Sequence, residues 1–64
     1  MNASASDWID TDTYACRRDI KRLGLDAAAD YQMSLIIDRE ASGDDRWGGI
    51  TVDDMRSALA EIAG

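Results

Sequence analysis

Val52, Met55, Leu59 and Ile62 recur at steps of three, four and three, which lays them along one stripe of a helix. Asp53, Asp54, Arg56, Ser57 and Glu61 fall on the other side. Thr51 followed three residues later by Asp54 has the form of a helix-starting cap, with Asp in place of the usual Glu. The pattern predicts a helix over 52–63. Its stripe covers barely two heptads, which favours packing into a local core over a coiled coil.

The middle of the chain reads differently. Asp26 is a good N-cap, Ala27-Ala28-Ala29 propagates a helix, and Ser42-Gly43 suits its end, so a helix is expected over 27–42. Its polar stripe is narrow, formed by Asp30, Ser34 and Asp38. Ala28, Ala29, Tyr31, Met33, Leu35, Ile36 and Ile37 occupy the rest, interrupted by Gln32, Arg39 and Glu40. So wide an apolar arc predicts a central helix covered from more than one side. A dimer or partner seam along one of its edges is the alternative.

Earlier, Thr11 or Asp12 can start a helix over 11–23, with Cys16, Ile20 and Leu23 on one side and Gly24 as the stop. Arg17, Arg18, Lys21 and Arg22 share its outer face, which reads as a solvated strip in weak ion pairs. Around Ser4, Asp7, Trp8, Ile9 and Asp10 the chain can make an extra helical turn or an ordered arm that lays Trp8 and Ile9 over the bundle. Residues 1–5 are expected to fray. The segment 43–50, Gly-Asp-Asp-Arg-Trp-Gly-Gly-Ile, cannot be regular helix and has room for a short strand-like stretch. These elements predict an all-α fold: one small domain, residues 1–64, built as a three-helix bundle with a Gly/Asp/Trp loop at 43–50.

Size sharpens this picture, because a chain of 64 residues buries only about 60% of the surface its unfolded form exposes. The 45% hydrophobic and 31% charged residues of mixed sign are enough for a fold. Domains this small usually lean on disulfides, a metal or another chain. Cys16 has no second cysteine to pair with and reads as a small core residue. Another chain, a second copy included, is the device left. A lone cysteine, the lack of a basic-apolar leader and the lack of a long apolar run give a cytoplasmic, non-membrane expectation.

Candidate chemistry is sparse. With no histidine, the usual acid-base group and the serine–histidine and cysteine–histidine nucleophile pairs are missing. Gly43, Gly48 and Gly49 fit neither phosphate-binding fingerprint. No enzyme, no cofactor, no catalytic residue and no metal ligand set are expected. One segment, Gly49-Ile50-Thr51-Val52-Asp53-Asp54-Met55-Arg56-Ser57-Ala58-Leu59, resembles the second half of an EF-hand, from late in its calcium loop into the exiting helix. The resemblance puts Gly48 at the loop's glycine, Asp45 at its third position and Asp54 at its bidentate Glu, and implies calcium binding or sensing. Gly43 at the first position and Trp47 at the fifth depart from the pattern.

Thirteen acidic residues against seven basic ones, net −6, point toward a partner instead. A dense carboxylate field speeds encounter with a basic surface. The expected function is a non-catalytic interaction module that occludes a surface of a larger protein. Its sharper form is a decoy for a basic nucleic-acid-binding surface, and in size and charge the chain is similar to the small acidic inhibitors of phages. Direct nucleic-acid contact is not expected, since the summed field repels phosphate. The calcium module and a docking subunit of a larger assembly are the alternatives. Partner contact is expected at Asp44, Asp45, Arg46, Trp47, Asp53 and Asp54, because tryptophan and arginine dominate interfaces. Trp47 can equally fold inward as a lid over the helices.

Overall fold

Residues 3–64, which the computed structural model describes, fold into four α-helices. These are α1 (Ala5–Thr11), α2 (Thr13–Leu23), α3 (Leu25–Ala41) and α4 (Val52–Ala63), with no strand among the described residues. The fold is the expected helical bundle, with the extra N-terminal turn realised as a helix of its own.

Local chemistry explains each start. Ser4 caps α1, its hydroxyl accepting from the Asp7 amide while the Asp7 carboxylate accepts from the Ser4 amide at 2.9 Å. Asp12 caps α2 by accepting from the Ala15 amide. Thr51 and Asp54 form the same reciprocal pair at α4 as Ser4 and Asp7 do at α1. At α3 the structure corrects the expected boundary: Gly24, not Asp26, precedes the helix. Its φ of +88° lets one residue end α2 and begin α3, a conformation that a side chain would strain. Asp26 therefore lies in the first turn, where the helix dipole favours a carboxylate, and takes the Arg56 guanidinium of α4 at 2.7 Å.

Fraying over residues 1–5 was expected; residues 1 and 2 lie outside the described ones. At residues 3–5 the structure shows contacts instead. The Ala3 amide donates to the Arg46 carbonyl at 3.0 Å, Ser4 caps α1, and Ala5 is buried. Ala3 is thereby held to the 43–50 loop, which forms turns and no strand. Gly43, at φ +99°, is the left-handed residue expected past the end of α3.

The core gathers Trp8 and Ile9 from α1, Cys16 from α2, Ala28, Ala29 and Ile36 from α3, Trp47 from the loop, and Met55, Ala58 and Leu59 from α4. Val52 and Ile62 flank it, so the α4 stripe packs as its spacing dictates. Two other faces differ from expectation. In α2 the buried side is Cys16 and Asp19, while Ile20 is half-buried and Leu23 exposed. In α3 the buried side narrows to Ala28, Ala29, Gln32 and Ile36, leaving Tyr31 and Ile37 exposed. Alanines at the α3 contact let neighbouring helices approach closely, so a few large residues suffice to fill the interior. The radius of gyration, 10.8 Å, is that of a closed globule of this length.

Candidate functional site

Most exposed charge on this surface is acidic and has no internal partner. Arg18 and Arg22 face Asp19, Arg46 holds Asp44, and Arg56 bridges Asp26 and Asp53. These pairs take up most of the basic residues. Asp7, Asp10, Asp12, Asp30, Asp38, Glu40, Asp45, Asp54 and Glu61 are exposed and form no ion pair among the described residues, against Arg17, Lys21 and Arg39. The net −6 is therefore carried by carboxylates facing solvent.

The six residues expected to meet a partner are split by the fold. Trp47 is buried, 6% exposed, with its ring edge-on to Trp8. It folds inward as a lid, which removes it as an exposed anchor. Asp44 accepts two guanidinium hydrogen bonds from Arg46, at 3.1 and 3.0 Å, and these bonds hold its carboxyl below the ordinary value of 3.8. Arg46 in turn lies 5.4 Å from the centre of the Trp47 ring. Asp45 is exposed beside this pair. Asp53 is paired with Arg56, and the Asp54 carboxylate accepts from the Thr51 amide. Asp54 also lines an open depression with Ser4, Gly48, Gly49, Ser57 and Glu61, so it belongs to the α1–α4 side of the molecule.

The loop does not gather calcium ligands. Its fifth position, Trp47, is in the core, and Asp54 caps α4. Among the described residues no three His, Cys, Asp or Glu side chains converge to hold a metal ion. What the EF-hand resemblance captured is the capped start of α4 after a turn-rich acidic loop, within a helix–loop–helix arrangement of α3 and α4.

A feature that the sequence reading missed lies between α1, α2 and α3. Trp8 Nε1 donates to Gln32 Oε1 at 2.8 Å, and Gln32 Nε2 donates to Asp19 Oδ2 at 3.0 Å. Asp19 is 1% exposed and Gln32 4% exposed, so a carboxylate and an amide sit inside a very small core. Asp19 Oδ1 receives no protein hydrogen bond, although Arg18 and Arg22 hold guanidinium nitrogens 3.7 Å away. Trp8, Arg18, Asp19 and Gln32 line a groove of about 450 Å³ whose walls also include Tyr31, Leu35 and Ala15 and whose exposed carboxylates are Asp12 and Asp38. Arg39 lies 4.9 Å from the centre of the Trp8 ring in the same groove. The sequence carried two signals for it. Gln32 interrupts an otherwise apolar arc, and Asp19 sits three residues after Cys16 between two arginines.

Cys16 also lines the groove, 1% exposed. Burial raises its thiol above the ordinary 9.0, with Asp12 and Asp19 adding to the effect, so at neutral pH it is an uncharged core residue rather than a nucleophile. No helix among the described residues is long and apolar enough to cross a membrane. No protein-family model, curated protein or solved structure matches the chain.

Proposed function

We propose that the chain is a non-catalytic interaction module that covers a basic, nucleic-acid-binding surface of a larger protein. The observation that carries the reading is the pairing pattern: Arg18, Arg22, Arg46 and Arg56 are ion-paired internally, while most carboxylates point outward without ion pairs. Such a surface attracts a basic patch and competes with phosphate for it. Two further facts support it. Cys16 is sealed in the core, and the sequence has no histidine.

The carboxylates offered to such a partner are Asp45 beside the Asp44–Arg46 pair, Asp54 on the α1–α4 side, and Asp12 and Asp38 at the rim of the Asp19 groove. Trp47 acts from beneath, holding the loop in place. The test begins with capture of a partner on the immobilised chain at low salt, followed by gel shift with that partner. The chain should displace nucleic acid, with the effect fading between about 50 and about 500 mM salt. Displacement indifferent to salt, or partners with acidic surfaces, would overturn the reading.

A further inference from the structure

The groove between α1, α2 and α3 has one unmet requirement, a hydrogen-bond donor for Asp19 Oδ1. That oxygen is buried, receives no protein N–H or O–H, and belongs to a side chain whose other oxygen is fixed by Gln32. A buried acceptor in this condition carries a free-energy penalty that any well-placed donor relieves. Arg18 and Arg22 compensate the charge from 3.7 Å but stop short of bonding distance, and their side chains remain 57% and 65% exposed.

The same groove already shows what kind of group its wall accepts. A guanidinium of the chain's own, that of Arg39, lies over the Trp8 ring at 4.9 Å. Arg39 is exposed and makes no ion pair within bonding distance among the described residues. Planar cations suit such a face because they stack on the ring and still direct N–H groups sideways. Asp12 and Asp38 add two exposed carboxylates, so the charged side chains lining the groove sum to a negative balance.

We infer that this groove receives an arginine side chain of the basic partner: its guanidinium replaces Arg39 over Trp8 and donates to Asp19 Oδ1. Arg39 is then a resident stand-in, displaced when the partner docks. The inference rests on the basic-partner reading above and adds to it the residue recognised and the place where it is held.

The test uses N-acetyl-arginine amide on the full chain, followed through the Trp8 indole and Gln32 amide resonances. Both should shift, saturating at about millimolar probe. The citrulline counterpart, planar but uncharged, should bind at least about tenfold more weakly. Asp19→Asn keeps an acceptor for Gln32 while turning the second position into a donor, and should weaken arginine by about tenfold or more. Arg39→Ala clears the ring from an exposed position and should tighten binding several-fold. Silence at Trp8 and Gln32 in both the natural chain and Arg39→Ala, or equal binding of arginine and citrulline, would overturn the inference. If nucleic-acid displacement succeeds while the groove stays silent, only the groove assignment fails. If arginine fills the groove and no displacement occurs, the partner reading fails instead.

Discussion

Trp8 and Trp47 meet edge to face, with ring centroids 5.0 Å apart and planes at 84°. One comes from α1 and the other from the long loop, so this contact ties the first helix to the loop. The two indoles differ in their polar ends. Trp8 Nε1 is bonded to Gln32, whereas Trp47 Nε1 is buried without a partner.

Replacing each by Phe separates those roles. Trp8→Phe strands Gln32 Oε1 in the core and should cost about 1–3 kcal/mol more than Trp47→Phe, which removes a donor that had no acceptor. Urea unfolding of the two variants gives the comparison, and equal costs would contradict the assignment. Trp47→Ala should cost about 3–5 kcal/mol. A domain of this size has a total stability of roughly 3–10 kcal/mol, so that variant is expected to be largely unfolded.

Gln32→Leu should destabilise by about 2–5 kcal/mol, since both Trp8 Nε1 and Asp19 Oδ2 lose their partner. Combined with Trp8→Phe, the loss should be clearly less than the sum of the two. A double-mutant cycle measures this coupling, and strict additivity would mean that the bridge is energetically silent.

Cys16 gives a pH dependence whose sign follows from its raised folded-state pKa. Below the unfolded value both states hold the proton and the full stability is present. As pH rises past about 9 the unfolded chain releases its proton while the folded one retains it, and stability falls until the folded thiol titrates as well. Thermal melts at stepped pH should show this alkaline loss, and Cys16→Ala should lack that component. Thiol reagents should modify the folded chain far more slowly than the urea-unfolded one.

Ser4→Ala and Thr51→Ala each remove the hydroxyl of a reciprocal cap and should cost about 1 kcal/mol. Ser4→Ala acts on a helix of only seven residues, so hydrogen exchange should rise locally in α1, while Thr51→Ala should lower the melting temperature of the whole bundle.

Ile37 is 59% exposed on α3 and does not belong to the buried core. Ile37→Asp should change stability by less than about 0.5 kcal/mol. Sedimentation of both forms shows whether this edge of α3 is a self-association seam: a mass that falls on substitution would establish one.

The helices were legible because their signals are local. Thr51 and Asp54, Asp12 ahead of α2, and the Met55–Leu59 stripe fix their elements within one or two turns of chain. Asp26 misled because it is a good cap by type, yet Gly24 had already started the helix, and a carboxylate is equally at home in a first turn. The groove was hidden for a different reason. Asp19 and Gln32 are thirteen residues apart on adjacent helices, and each looks like a surface residue until the register of α2 against α3 brings them to 3.0 Å. Trp47 was ambiguous in sequence because a loop tryptophan can face either way, and what turns it inward is Trp8, far earlier in the chain.

Because the Ala3 amide reaches the Arg46 carbonyl and Trp8 needs Trp47, the first helix has no finished seat until the loop has been synthesised. The loop and α4 supply Trp47, Met55, Ala58 and Leu59 to the core, so the residues of α1–α3 do not complete it alone. The core therefore closes only after the loop and α4 have emerged, and the order in which the polypeptide emerges is not the order in which its parts lock.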